Sequence, residues 1–260
     1  MPEPAPFNPM TFMDARRSRE IGKYVVYRES VDSTMTVARS RAAEDAPHGT
    51  LVLAEEQTAG RGRRGRSFYS PAGENLYFTL ILRCPMDVHR RLPVIVPVAV
   101  CEAIREVVPA AAIKWPNDIW IGDRKTCGML IDAEIGSAGP VAFPGIGINV
   151  NGDPTVQPEL RDIATSLARE AGTPVSREHL LASICNRLEW LMEMVDEREV
   201  AVRYRQLSCI LGREVTVDPQ VGEAFSGVAT EIAETGDLAV ALADGRTEWV
   251  TAGDVTLRPR

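Results

Sequence analysis

An α+β fold is what the sequence predicts: a mixed β-sheet flanked by helices, followed by a small C-terminal β-barrel. Three observations carry this. Up to about residue 211, apolar β-branched stretches alternate with segments of helical spacing. From Arg213 onward short alternating strands are punctuated by Gly222, Gly227, Gly236, Asp244-Gly245 and Gly253. A chain of 260 residues, 45% hydrophobic and 25% charged, is an ordinary globular mixture with room for one large core and a small second unit.

The elements follow in order. Met1 to Arg19, with Pro2, Pro4, Pro6 and Pro9 and no apolar run, reads as a flexible tail rather than a signal peptide. Lys23 to Arg28 is a strand. Asp32-Ser33-Thr34 caps a helix over Met35 to Ala43. Leu51 to Glu55 is a strand, Gln57 to Arg66 a Gly/Arg loop, and Asn75 to Leu82 a further strand. Val94 to Val107 is a helix with Pro93 in its first turn and Pro97 as a distortion. Strands follow around Ile113, at Asp118 to Ile121, Thr126 to Ile135 and Val141 to Val150. Leu160 to Glu170 and Ser176 to Leu211 are helical, the second with Leu181, Ile184, Leu188 and Leu191 on one face. No internal repeat is present.

Composition excludes several classes. The net charge of −7, from 29 Lys+Arg against 36 Asp+Glu, disfavours nucleic-acid binding by bulk charge. No stretch approaches the roughly 18 consecutive apolar residues of a membrane helix; Leu92 to Val100 is short and carries two prolines. Five scattered cysteines without a C-x-x-C pair argue against a disulfide framework or zinc site and for a reduced, cytoplasmic setting. His48, His89 and His179 are isolated, and G-x-x-x-x-G-K-[ST] is absent, so triad, zincin and P-loop chemistry have no sequence support.

The remaining chemistry rests on fixed positive charge. Gly60-Arg61-Gly62-Arg63-Arg64-Gly65-Arg66 puts four arginines into seven residues of an acidic chain. Its glycines permit close backbone approach, and guanidinium forks match phosphate or carboxylate oxygens. A nucleic-acid arm or solvated basic turn is the other reading of this loop. Lys114-Trp115-Pro116-Asn117-Asp118 gathers a cation, an amide and a carboxylate, or is simply a strand-to-strand turn. Lys125 opens an apolar strand with Gly128 three residues on; a surface hairpin lysine is the alternative. Cys127 reads as a buried filler rather than a nucleophile. Gly145-Ile146-Gly147-Ile148-Asn149 lacks the third glycine and the following helix of a dinucleotide fingerprint.

In this order, GRGRRGR, KWPND, the Lys125-x-x-Gly128 strand and GIGIN resemble the biotin protein ligase family, from near Lys23 to Arg260; Asp32-Ser33-Thr34 and Glu55 to Gly60 fit as well. The resemblance implies a class II aminoacyl-tRNA synthetase-like catalytic domain over 23–211 and an SH3-like domain over 212–260, after the tail of 1–22. It implies ATP and biotin as substrates with Mg2+, biotinyl-5′-AMP as intermediate, and a lysine of a biotin carboxyl carrier domain as acceptor. It places Ser33, Thr34, Met35, Gln57, Gly60, Arg61, Gly62, Arg63, Lys125, Gly128 and Gly145 at biotin. Arg63, Arg64, Arg66, Phe68, Asn117, Lys125 and Asn149 fall at ATP. Lys125, Arg63 and Lys114 are the catalytic candidates and Asp118 the metal candidate.

Phe68 stands where the family more often has Trp. With only a Pro-rich stretch before Lys23, operator binding is not expected; nor is a membrane partner, and the chain is expected as monomer or homodimer. A lipoate-type ligase would need an R-R-x-x-G-G-G-type motif with a His-Asp pair, which the sequence lacks. A nucleic-acid-binding protein using the Arg/Gly loop is the alternative of a different class.

Overall fold

The computed structural model describes residues 5–62, 65, 68–136, 139–219 and 222–257. Among them a seven-stranded sheet has the order β1-β2-β3-β7-β6-β5-β4. These strands are β1 (Val25–Val31), β2 (Thr50–Gln57), β3 (Leu76–Ile81), β4 (Ala111–Lys114), β5 (Asp118–Ile121), β6 (Arg124–Gly136) and β7 (Gly139–Ile148). The β1–β2 pair is parallel and the others are antiparallel, so the sheet is mixed, as the sequence predicts.

Both faces of the sheet are covered, and the alternation of side chains shows it. Leu51 and Leu53 of β2 join the main core, while Val52 between them joins a second cluster with Met35 and Ala38. That second cluster lies under α2 (Thr34–Ala43), capped by Ser33, whose side chain accepts from the Met35 amide. On the other face lie α1 (Pro9–Ala15), α3 (Met86–Arg105), α5 (Arg177–Met194) and α6 (Glu197–Leu207); α3 packs against α5 and α6, and α1 against α5.

Several elements depart from the expectation, each for an identifiable reason. The stretch read as a flexible tail contains α1. Asn8 caps it, accepting from the amides of Met10 and Thr11, and Phe7 and Phe12 are buried in the main core. Proline spacing hid a helix that tertiary contacts hold. Helix α3 starts eight residues early, at Met86, and keeps Pro93 and Pro97 inside it. Eleven of its residues are buried, and that burial outweighs the cost of proline in the interior. The long helix expected from Ser176 to Leu211 is two helices, because Val195 is extended and Asp196 caps α6 by accepting from the Glu199 amide at 2.9 Å. Most of Leu160 to Glu170 is not helical. Two short 3-10 turns precede α4 (Leu167–Ala171), which ends at Gly172 with φ 71°.

The C-terminal strands are β8 (Glu214–Pro219), β9 (Phe225–Ile232), β10 (Leu238–Ala241), β11 (Thr247–Val250) and β12 (Gly253–Leu257). They form an antiparallel sheet ordered β11-β10-β9-β8-β12. Among the described residues β11 and β12 do not pair, so the small barrel of the expectation is an open antiparallel sheet. Its Val215, Val217, Ile232 and Leu238 belong to the same buried cluster as α3 and β4. Two further bonds tie the units: the Trp115 indole donates to the Gly236 carbonyl at 2.8 Å, and Arg205 donates to the Ile232 carbonyl at 2.6 Å. No helix is long and apolar enough to cross a membrane among the described residues.

Candidate functional site

The sheet registers build the floor of a cleft. Gly128 of β6 pairs with Gly147 of β7, and the same row continues to Asp118 of β5 and Tyr77 of β3. Two neighbouring strands thus present bare backbone side by side. The Phe68 ring lies on this patch, because a Cβ on Gly147 would sit 2.5 Å from a ring carbon and one on Gly128 would sit 3.3 Å away. The ring also meets Tyr77 edge-on, at 6.3 Å between centroids. One row over, Gly145 makes room for Met35, whose methyl would be 2.9 Å from an added Cβ.

The cleft over this floor has a volume of about 260 Å³. Ser33, Thr34, Met35, Gln57, Arg61, Gly62, Phe68, Lys114, Asn117, Asp118, Lys125, Gly128 and Gly145 all line it, so thirteen of the residues proposed from the sequence converge. Thr79 of β3 and Asp254 to Thr256 of β12 line it too, and no local sequence signal marks them. Arg63, Arg64 and Arg66 lie outside the described residues.

The cations have distinct surroundings. The Lys125 ammonium is 2.7 Å from Asp118 Oδ1 and stands above Gly128, where a Cβ would come within 2.8 Å of it. The backbone of Lys125 is held on both sides: its amide donates to Ile163 and its carbonyl accepts from Thr165, each at 2.9 Å. This is why the segment before α4 is not helical. Lys114 stands over the Trp120 ring, 4.2 Å from its centroid. Burial lowers the pKa of its ammonium; nearby Asp118 opposes that shift and the charge of Lys125 adds to it. An incoming anion would favour the charged form.

The opposite end of the cleft is neutral and polar. Gln57 Oε1 accepts from the Thr34 amide at 3.0 Å and the Thr34 hydroxyl at 3.1 Å. The hydroxyls of Thr34 and Thr79 are 2.9 Å apart. Thr34, Thr79 and Ser33, whose hydroxyl is spent as a cap, are buried, and Gln57 is half-buried. Such a set suits a neutral ligand head that both donates and accepts.

Two expected residues sit elsewhere. Gly60 is buried at the neck of the Gly/Arg loop, where its carbonyl accepts from the Phe68 amide at 2.9 Å. Asn149 is turned away from the cleft: its side chain donates to the Thr165 carbonyl at 3.1 Å and so braces the segment that grips Lys125. Asn117 reaches across to the Met129 carbonyl. Cys127 is fully buried beneath the floor, and burial pushes its thiol far up, which fits a filler and not a nucleophile. As for a resident metal, Asp118 is already engaged by Lys125, and no three His, Cys, Asp or Glu side chains gather among the described residues.

The glycine floor makes a prediction. Gly147→Ala forces the Phe68 ring or a bound ligand off the sheet, and overpacking of this kind costs on the order of 1–3 kcal/mol. We expect the affinity for the ligand of this cleft to fall roughly tenfold or more, read by calorimetric titration.

The chain is similar to known proteins along most of its length. The model of the biotin/lipoate A/B protein ligase family matches residues 27–151. The bifunctional ligase/repressor BirA of Bacillus subtilis is 40% identical over 174 residues, which cover 65% of this chain and 53% of that protein. The chain thus spans about half the length of the Bacillus relatives it matches. The biotin--[acetyl-CoA-carboxylase] ligase of Mycobacterium tuberculosis is 32% identical over 86% of this chain and 85% of its own length. Among solved structures, the biotin protein ligase of Aquifex aeolicus in complex with biotin and ATP matches with a TM-score of 0.75 and 27% identity, over 92% of this chain and all of that one.

Proposed function

The chain belongs to the biotin protein ligase family, and from that premise we propose that it is an ATP-dependent biotin protein ligase. In the first step a biotin carboxylate oxygen attacks the α-phosphorus of ATP, giving biotinyl-5′-AMP and releasing pyrophosphate. In the second the ε-amine of one lysine on a biotin carboxyl carrier domain attacks the acyl carbon, and AMP leaves. The observation that supports this best is the division of one cleft into two halves. Neutral hydrogen-bonding groups at Thr34, Thr79 and Gln57 suit the ureido ring, and the cations Lys125, Lys114 and Arg61 line the same cleft.

On this reading each residue has a task. Arg61 meets the biotin carboxylate. Lys125 lies between the carboxylate and the α-phosphate, and offsets the charge that builds on the phosphoryl oxygens. Lys114 is a second cation for the phosphates or the acyl group. Asn117 and Phe68 serve the nucleotide, with Phe68 offering a face for adenine. Arg63, Arg64 and Arg66 are proposed for the phosphates by their place in GRGRRGR. Mg2+ enters as the counter-ion of ATP; bound, it neutralises phosphate charge, and the protein's own groups do the positioning. We further propose a cytoplasmic setting and no DNA partner.

The test is pyrophosphate release from ATP by the purified chain. It should require biotin, ignore lipoate, and be followed by labelling of a carrier-domain lysine. Release that runs without biotin, or that lipoate supports equally well, counts against the reading.

A further inference from the structure

Beyond the residues that touch substrate, we propose that Ser70 is a positioning residue that links the occupancy of the biotin end of the cleft to the neck of the Gly/Arg loop. The inference rests on the ligase reading above. Ser70 is a buried hydroxyl, 5% exposed, that no catalytic or binding role accounts for. Its oxygen accepts from Gln57 Nε2 at 3.1 Å and donates to the Phe68 carbonyl at 2.9 Å.

The direction of these bonds is fixed by chemistry. The Thr34 amide can only donate, so the Gln57 atom facing it is the carbonyl oxygen, and the other end of the amide must be the donor toward Ser70. The bonds then run one way: Thr79 hydroxyl to Thr34 hydroxyl, Thr34 to Gln57, Gln57 to Ser70, Ser70 to the Phe68 carbonyl. A chain in which every member donates onward is mutually polarised, so a change at one end is felt at the other.

The two ends are the two places that matter. Thr34, Thr79 and Gln57 line the neutral half of the cleft. Phe68 closes the neck, donating to the Gly60 carbonyl at 2.9 Å, and its ring lies on Gly147. The neck is also tight, since a Cβ on Gly60 would come 2.6 Å from the Phe68 carbonyl and 2.9 Å from the Ser70 hydroxyl. A ligand that takes the hydrogen bond of the Thr34 hydroxyl removes it from Gln57, and Ser70 is the group through which that change reaches Phe68. Ser70 thereby makes the binding of the second substrate depend on the first.

The test is a thermodynamic cycle on the full chain. Kd for a non-hydrolysable ATP analogue is measured by calorimetry with and without saturating biotin, in the natural protein, Ser70→Ala and Ser70→Thr. In the natural protein biotin tightens the analogue. In Ser70→Ala that tightening falls by about tenfold, the scale of one lost hydrogen bond with its partners left unpaired, while biotin still binds. Ser70→Thr, which keeps the hydroxyl, retains it. A folded Ser70→Ala protein with full coupling overturns the proposal, as does a natural protein that shows no coupling. If Ser70→Ala does not fold, Ser70→Thr decides: loss of coupling there overturns the proposal and retention supports it. Failure of the ligase reading looks different, because the natural protein would then bind no biotin at all.

Discussion

Lys125→Ala lowers biotin-dependent pyrophosphate release by roughly 10²–10³-fold while the protein stays folded, the scale measured when one donor to a developing oxyanion is removed. The expected size follows from the reaction's main difficulty. Two unit anions brought to about 4 Å repel by roughly 4 kcal/mol at the effective dielectric of a protein surface. A cation between them removes that repulsion and gains as charge builds on phosphorus. Lys125 is placed for this by a backbone held at both sides and by a glycine beneath its ammonium.

Its removal also leaves Asp118 without its 2.7 Å partner, so an extra negative charge faces the reactants. The double variant Lys125→Ala/Asp118→Asn should therefore recover part of the loss. Stability is little affected, since the Lys125 side chain is about a third exposed and exposed pairs contribute roughly 0–1 kcal/mol. A single-turnover assay with purified variants decides it, and a Lys125→Ala enzyme within a few-fold of the natural rate sinks the assignment.

Arg177→Met is expected to destabilise the fold by roughly 3–5 kcal/mol, because it breaks a buried ion pair and strands one partner. Arg177 Nη1 lies 2.7 Å from Glu55 Oε2, with both side chains below a tenth exposed. The same guanidinium donates to the carbonyls of Asn75 and Ala5, and Glu55 Oε1 accepts from the Phe7 amide and the Tyr27 hydroxyl. One pair thus fastens the N-terminal segment, two strands and the start of α5.

The pH dependence fixes the sign. Burial alone raises the pKa of Glu55, but the hydrogen bonds from Arg177, Phe7 and Tyr27 outweigh it, so the folded value lies below the unfolded one. The carboxylate therefore contributes stability above its unfolded pKa, and that contribution is lost as pH falls through the folded value. In Arg177→Met the guanidinium no longer opposes burial, so the folded pKa of Glu55 rises and the stability its carboxylate contributes at neutral pH shrinks. The gap in urea midpoint between variant and natural protein should narrow as the pH goes from about 7 to about 4.5, near the unfolded carboxylate value. A constant gap removes Glu55 from the explanation.

Much of the site was legible because its residues sit in contiguous runs. Lys114 to Asp118, Lys125 to Gly128 and Ser33-Thr34 are short motifs that strand registers bring to one floor. Ser33 advertised itself as a cap through the side-chain chemistry that favours such positions. Thr79 and Ser70 carry no such mark. A threonine inside an apolar strand and a serine before a proline acquire meaning only from residues 45 and 13 positions away. Asn149 was read toward the cleft because GIGIN ends there, yet the carbonyl of Thr165 claims its amide. Helix α1 was missed for the same reason in reverse: prolines argued for a loose chain, and the contacts that order it, Phe7 to Glu55 and Phe12 to the core, are remote in sequence.

The indole of Trp115 is 2% exposed, and its acceptor, Gly236, belongs to the turn between β9 and β10. The C-terminal sheet cannot swing out without orphaning that N–H and uncovering apolar surface shared with α3. Trp115 also opens the turn that carries Lys114 and Asp118. Heat-induced opening of the last fifty or so residues and loss of turnover should therefore be one cooperative event, with a calorimetric endotherm whose midpoint coincides with that of inactivation.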